Sequence, residues 1–189
     1  MTTPMNKKIQ ATKAAMAHVS GYADINTFVE TGTAFATTTV AALEIFTEVH
    51  SIDLSPELHK RAVEQHGDRA GLTFHFGDSA EVLPRVLAGI DRPVVVLLDA
   101  HYCLGFGGKA AKKTFPLWAE LDVFKARKHA DLVLVDDIHT FGRDRQDIRV
   151  TNGVEWEGVT PQALVKHMGD RLVAHAPFRD QYALYLSAE

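Results

Sequence analysis

The sequence predicts a single α/β domain built on a mostly parallel sheet. Three observations predict it. Strand-like and helix-like patterns alternate along nearly the whole chain. Two of the strand-like runs, Val94-Val95-Val96-Leu97-Leu98 and Leu132-Val133-Leu134-Val135, are apolar throughout, as strands covered on both faces are. The last two strand-like segments, Arg171 to Pro177 and Tyr182 to Leu186, are separated by only about four residues. That gap is too short for a helical crossover, so the pair is antiparallel. Five βα units closed by a terminal hairpin follow from this pattern.

Each element has its own local reason. Residues 5–19 have helical composition and no breaker. Thr27-Phe28-Val29-Glu30 reads as the first strand. Thr37 to Phe46 reads as a helix, with Val40, Leu43 and Phe46 at three-residue spacing. Val49 to Leu54 is the second strand. Ser55-Pro56-Glu57 starts a helix, with Ser as cap and Pro at the first helical position; it runs to about His66, and Gly67 stops it. Leu72 to Phe76 is the third strand, alternating apolar and polar. Ser79 to Leu87 is a helix disturbed by Pro84. Residues 94–98 form the fourth strand. Phe115 to Lys128 is a helix with Leu117, Leu121 and Phe124 on one face. Residues 132–135 form the fifth strand, and Thr160-Pro161 caps a helix reaching Met168. Two connections, 103–114 and 140–159, are long for such a fold, and long loops are usually functional. Both follow the apolar strands, so both are expected over the same rim of the sheet.

Bulk properties narrow the classes. A chain of 189 residues fits one domain with a sizeable core. Apolar residues make up 46% and charged residues 23%, which is ordinary globular composition. A net charge of −4 gives no broad basic field for nucleic acid or anionic lipid. One cysteine, Cys103, rules out an internal disulfide framework and a cysteine-rich zinc site. No apolar run approaches the roughly 20 residues of a membrane span. Met1 to Gln10 is polar, with no signal-peptide apolar region after it. A cytoplasmic protein is the simplest reading; a homo-oligomer is compatible with it.

The chemistry-bearing residues stand at strand ends. Asp99-Ala100-His101 follows the fourth strand and Asp136-Asp137-Ile138-His139 the fifth. Neighbouring parallel strands lie about 4.8 Å apart. Pairing of these two brings three carboxylates and two imidazoles to one rim, the carboxyl-end rim where open α/β sheets bind ligands. Asp136 and Asp137 either serve a ligand there or brace the loop at 140–159. The first strand ends at Glu30-Thr31-Gly32-Thr33, where a glycine lets backbone approach a ligand closely. An ordinary strand-to-helix turn is the plain alternative. Of a G-x-G-x-x-G fingerprint only Gly32 is present, and no G-x-x-x-x-G-K-[ST] phosphate loop occurs. Asp53 ends the second strand 21 residues after Gly32, where an acid suits a ribose diol; the alternative is a cap network with Ser55. Gly77-Asp78-Ser79 ends the third strand. Asp78 either accepts from an adenine amino group or, with Ser79, caps the next helix. Three acids at three successive strand ends after a glycine turn are hard to obtain from capping alone. Trp118 reads as core and Cys103 as structural. Trp156 reads as a stacking surface or as loop packing, and the lysines of 109–113 as a solvated loop or an attractor of acidic substrate.

Glu30-Thr31-Gly32-Thr33, Ser51-Ile52-Asp53-Leu54-Ser55, Gly77-Asp78-Ser79 and Leu98-Asp99-Ala100-His101-Tyr102 resemble, in order and spacing, the motifs of class I S-adenosylmethionine-dependent methyltransferases. The resemblance covers roughly residues 25–189 and leaves 1–24 as an N-terminal helical extension. It implies a Rossmann-like methyltransferase fold: a seven-stranded mixed sheet of order 3-2-1-4-5-7-6, helices on both faces and a C-terminal antiparallel hairpin. It also implies S-adenosyl-L-methionine as cofactor. Glu30 and Gly32 would flank its methionine part, Asp53 its ribose, and Asp78 with Ser79 its adenine. Thr31, Thr33 and Asp99 complete the cofactor-binding set. Where the family has more glycines in the first turn, this chain has Ala34 and Ala36.

Asp99 with Asp136-Asp137 is similar to the metal site of macrocin O-methyltransferase-like sugar methylases. This resemblance implies Mg²⁺, or Mn²⁺, on the three aspartates, holding a hydroxyl of a small-molecule acceptor and lowering its pKa. Ligation by His101 or His139 would favour Mn²⁺, Fe²⁺ or Zn²⁺. His101 or His139 would take the acceptor's proton, with His101 better placed because it is two residues from Asp99. The implied activity is O-methylation. Two readings from other classes use the same residues: a non-catalytic binding protein of this fold, and a metal-dependent hydrolase.

Overall fold

Seven strands form one mixed sheet in the order β3-β2-β1-β4-β5-β7-β6, the order expected. The computed structural model describes residues 6–101, 115–143 and 156–189. Along the chain these are α1 (Lys7–His18), β1 (Thr27–Thr31), α2 (Thr37–Ala42), β2 (Glu48–Asp53), α3 (Pro56–His66), β3 (Leu72–Phe76), α4 (Ser79–Ala88), β4 (Val95–Leu98), α5 (Leu117–Ala126), β5 (Leu132–Val135), α6 (Pro161–Met168), β6 (Leu172–Phe178) and β7 (Gln181–Leu186). The first five strands are parallel, and β7 runs antiparallel to both β5 and β6. The segment 103–114 lies outside the described residues, as does 144–155 of the second long loop.

Side-chain alternation along the strands divides the core in two. Val94, Val96 and Leu98 face one side with Val133 and Val135, packed by Leu83 and Leu87 of α4, Leu121 and Phe124 of α5 and Leu164 of α6. Val95 and Leu97 face the other side with Leu132 and Leu134, packed by Ile9, Ala15 and Met16 of α1 and by Ala42 and Phe46. The segment expected as an extension thus holds a helix that forms part of the second face. Tyr185 Oη donates to the Ala15 carbonyl at 2.8 Å, and Gln181 Nε2 to the Lys8 carbonyl at 3.3 Å.

Two boundaries differ from the sequence expectation for physical reasons. The helix expected to reach Phe46 ends at Ala42. It starts on Ala36 with no side-chain cap, and its first residues are the β-branched run Thr37-Thr38-Thr39-Val40. The chain continues in i→i+3 turns, Glu44 N–H to Ala41 and Ile45 N–H to Ala42. The terminal hairpin is tighter than expected, because Arg179 adopts φ 55° and lets the strands pair up to Phe178 and Gln181.

At the opposite rim a buried ion pair ties the layers together. Asp131 is fully buried and meets Arg127 Nε at 2.8 Å, while its Oδ1 accepts from the Val94 amide at 3.0 Å. Arg127 also donates to the carbonyls of Leu87, Ile90 and Arg92. Arg127→Met should therefore strand a buried carboxylate and lower stability by about 3–5 kcal/mol. Urea unfolding followed by circular dichroism checks this; a loss under 1 kcal/mol would mean the pair is not a brace.

Candidate active site

A cavity of about 360 Å³ opens at the carboxyl ends of β1 and β4, lined by Lys8, Glu30, Gly32, Thr33, Ala34 and Asp99 among others. That volume lies in the range of small-molecule sites. The turn after β1 shapes its floor. Gly32 sits at φ +88°, and a Cβ there would fall 2.4 Å from the Asp99 carbonyl oxygen. Its amide and that of Thr33 donate to the Ile52 carbonyl at 2.9 and 3.2 Å. Ala34 and Ala36 then adopt φ 45° and 56°, left-handed conformations that favour glycine. The two alanines thus occupy backbone positions suited to glycine, and the turn is strained.

Glu30 is buried at the cavity wall. Its Oε2 accepts from the hydroxyls of Thr39 and, at 2.8 Å, Ser51. Burial pushes its pKa up to about 7, against the lowering by those hydroxyls. Oε1 takes no hydrogen bond among the described residues. Asp53, buried, accepts from the Ser55 amide at 2.7 Å and the Ala34 amide at 2.8 Å. It therefore braces the β1 turn against the start of α3. Burial raises its pKa, and the two amides work the other way. Asp78 caps α4, its Oδ1 accepting from Ala80 at 3.0 Å, and Ser79 is buried at the first helical position. Asp53 and Asp78 thus serve local backbone; neither borders the cavity that holds Glu30 and Gly32.

The rim between β4 and β5 is organised by a residue the sequence reading passed over. Leu98 pairs with Val135, so Asp99 and Asp136 are neighbours across the parallel pair. Lys8, from the first turn of α1, places its ammonium between them. It bonds Asp99 Oδ2 and forms a 2.5 Å ion pair with Asp136 Oδ2 outside good hydrogen-bond geometry. Burial works against the ammonium, but the two carboxylates outweigh it and raise its pKa. Asp99 is itself raised well above its ordinary value by burial and by the like charge of Asp136; Asp136 is raised by burial against the pull of Lys8.

Asp137 goes elsewhere. It follows the strand at φ 58°, and its side chain meets His101 rather than Lys8. Its Oδ2 meets His101 Nε2 at 2.5 Å, and His101 lies 3.7 Å from Asp99 Oδ1. Burial would raise the Asp137 pKa, yet its contact with His101 holds it below the ordinary value. His139 is half-exposed and bonds Asp180 on the hairpin turn at 2.8 Å, 4.0 Å from Asp137. Trp156, 3% exposed, packs against Phe115 at 4.5 Å between ring centroids, Phe141 at 5.9 Å and His101 at 5.7 Å. It walls the site as packing.

The structure thus brings Asp99 together with Asp136 around Lys8, and Asp137 together with His101. It does not bring the three aspartates to one point. Among the described residues, the ligand atoms of Asp99, His101 and Asp137 lie within 4.8 Å of one another, and Asp136 is not in that group. The three-aspartate metal set expected from the resemblance does not fit, since a protein ammonium occupies the position between two of its members.

Glu120 was also missed. It is 1% exposed on α5, beneath Thr31 and Ser79. Burial pushes its pKa up to about 7, opposed by the two hydroxyl side chains, and its Oε1 has no hydrogen-bond partner among the described residues. Its position three residues after Leu117 and four before Phe124 puts it on the buried face, a signal available from sequence. Lys8 carried a fainter signal: the first turn of α1 has no acidic residue, and a lysine there opposes the helix dipole.

No family model matches the chain, and no curated protein matches it. Solved structures do. A Clostridium thermocellum protein whose rRNA-methylase name is provisional aligns with a TM-score of 0.59 at 14% identity, covering 100% of both chains. The N-methyltransferase NodS from Bradyrhizobium japonicum, in complex with S-adenosyl-L-homocysteine, aligns at 0.58 and 10% identity over 99% of this chain and 89% of its own. The S-adenosyl-L-homocysteine-bound methyltransferase PaMTH1 from Podospora anserina aligns at 0.52 and 13% identity, covering 97% and 88%. This chain therefore has the Rossmann-like fold of these methyltransferases. No helix among the described residues is long and apolar enough to cross a membrane.

Two predictions follow from the strain and burial at the site. Ala34 is exposed at φ 45°, so Ala34→Gly relieves backbone strain without opening a cavity. It should stabilise the fold by about 0.5–1 kcal/mol in urea unfolding, after the entropic cost of glycine. A loss of stability would show that the turn is relaxed. Glu120 holds its proton more tightly folded than unfolded. Its contribution is full below its ordinary pKa of 4.5 and is lost as pH rises through about 7. Glu120→Gln should match the parent near pH 4.5 and exceed it by up to about 3 kcal/mol at pH 8, at about 1.4 kcal/mol per pKa unit. Equal pH slopes for variant and parent would refute the assignment.

Proposed function

We propose that the protein is an S-adenosyl-L-methionine-dependent methyltransferase acting on a hydroxyl oxygen of a small acceptor. The observation that carries the proposal is the cavity at the ends of β1 and β4. It unites a buried acid, Glu30, with a glycine turn whose backbone closes directly on Asp99. The residues suit the cofactor. Gly32, Thr33 and Glu30 offer backbone and one carboxylate oxygen to a cationic ligand head, and Asp99 adds a second acid beside it. When bound, the cofactor supplies an electrophilic methyl group.

The chain's own residues supply the rest. The likeness in fold to S-adenosyl-L-homocysteine complexes supports the cofactor assignment, and the acid-imidazole rim supports transfer to oxygen. His101 takes the acceptor's proton, and Asp137 stabilises the imidazolium that results. Trp156, packed by Phe115 and Phe141, covers one side of His101. Acceptor and cofactor held in one orientation make the transfer effectively unimolecular. No step is routed through a metal on Asp99, Asp136 and Asp137, because those three do not converge.

Calorimetry with S-adenosyl-L-homocysteine tests the cofactor assignment. The parent should bind, and Glu30→Gln should weaken binding about 10- to 150-fold, the loss of one charge-assisted hydrogen bond of about 1.5–3 kcal/mol. Glu30 must ionise to serve a cation, so affinity should rise with pH through about 7 in the parent and stay flat in the variant. Absence of heat up to millimolar ligand would sink the methyltransferase reading.

A further inference from the structure

We propose that the Lys8 ammonium is the resident cation of the acceptor site, standing between Asp99 and Asp136 in place of a divalent metal. Its acceptor-binding role rests on the methyltransferase reading; its displacement of metal does not.

Position argues first. Register sets Asp99 beside Asp136, and a cation shared by both must sit where the Lys8 nitrogen sits, 2.5 Å from Asp136 Oδ2 and bonded to Asp99 Oδ2. A metal at that point would collide with the ammonium. Anchoring argues second. Lys8 is not a mobile surface chain that wandered in. Its carbonyl accepts from Gln181 of β7 and, at 3.0 Å, from Thr12 Oγ1. Asn6 caps the helix, its Oδ1 accepting from the Lys8 amide at 2.9 Å, and Ile9 beside it is fully buried. The stem therefore starts from a fixed backbone and needs little further ordering. Exposure argues third. Asp136 is 2% exposed but the Lys8 side chain is 37% exposed and lines the cavity. An ammonium has three protons, and the aspartates engage two of its directions. The third is available to an oxygen in the cavity.

The acceptor this arrangement takes is a neutral hydroxyl or its oxyanion. Lys8 would donate to that oxygen while the acceptor hydroxyl gives its proton to His101 and takes the methyl carbon, whose bond to the cofactor's sulfonium sulfur would break to leave a neutral thioether; the ammonium is thus a positioning residue that faces the negative charge developing on the oxygen. A monovalent hydrogen-bond donor replaces Lewis-acid binding, and chelators should leave transfer unaffected.

The test is a thermal-shift series with Mg²⁺ and Mn²⁺ on the parent, Lys8→Met, and Lys8→Met with Asp136→Asn. The parent should show no shift with 1 mM of either metal or with chelator. Lys8→Met leaves two facing carboxylates without their cation and should gain a metal-dependent rise of about 5 °C. The double variant should lose that rise. A parent that is itself stabilised by metal, or a folded Lys8→Met that does not respond, overturns the proposal. Should Lys8→Met fail to fold, Mn²⁺ binding to the parent by electron paramagnetic resonance decides. Retention of Mn²⁺ at 0.1 mM overturns the proposal, and its absence supports it. Failure of S-adenosyl-L-homocysteine binding would remove the cofactor reading and leave the metal result unchanged.

Discussion

Two carboxylates forced together by strand register govern the architecture of this rim. Parallel pairing of Leu98 with Val135 makes Asp99 and Asp136 neighbours, and both are largely withdrawn from water. A buried like-charge pair is costly unless a cation joins it or one member keeps a proton. Here the cation is Lys8. It enters from α1 and lowers the pKa of both acids against burial, which raises them. The consequence is long-range. A helix at the start of the chain is drawn across β7 to the ends of β4 and β5, and the same lysine becomes part of the cavity wall.

Strain is distributed in the same region. Ala34, Ala36 and Asp137 all hold positive φ, and each stands within a strand-to-helix turn at the carboxyl rim. Surrounding contacts hold them there. Asp53 accepts from the Ala34 amide, the Ile52 carbonyl takes the amides of Gly32 and Thr33, and Asp137 pairs with His101. Backbone amides and one imidazole thus fix the positions that a ligand would meet. Buried acids accompany them: Glu30 beside Ser51 and Thr39, and Glu120 beneath Thr31 and Ser79. Rigid, partly strained turns lined by acids of raised pKa are expected where a site is organised before its ligand arrives.

The fold was legible because its signals are local and repeated. Apolar runs at 94–98 and 132–135, caps at Ser55 and Thr160, and a hairpin gap too short for a helix each stand in a few consecutive residues. The site was legible only to the level of strand ends. That Asp99 and Asp136 meet follows from register, which the sequence does not state. That Asp137 parts from Asp136 is what side-chain alternation leads one to expect, but which of the two faces Asp99 depends on the register with β4. Lys8 was hidden for a different reason. Its partners lie 91 and 128 positions away, and a lysine in a polar opening segment reads as solvated. Asp53 and Asp78 show a different ambiguity of strand-end acids. Their strand-end placement drew attention to a ligand, whereas their observed bonds are to backbone amides.

Those bonds do not remove the two acids from a ligand's reach, and the physical reason is capacity. An ionised carboxylate has about four acceptor directions, and Asp53 uses two of them on the Ala34 and Ser55 amides. The bracing orients the remaining directions and ties them to the β1 turn. Capping and ligand binding are therefore compatible at Asp53, whereas at Asp136 the ammonium and a metal compete for one point. The rim can hold one cation between β4 and β5, and this chain carries that cation on its own first helix.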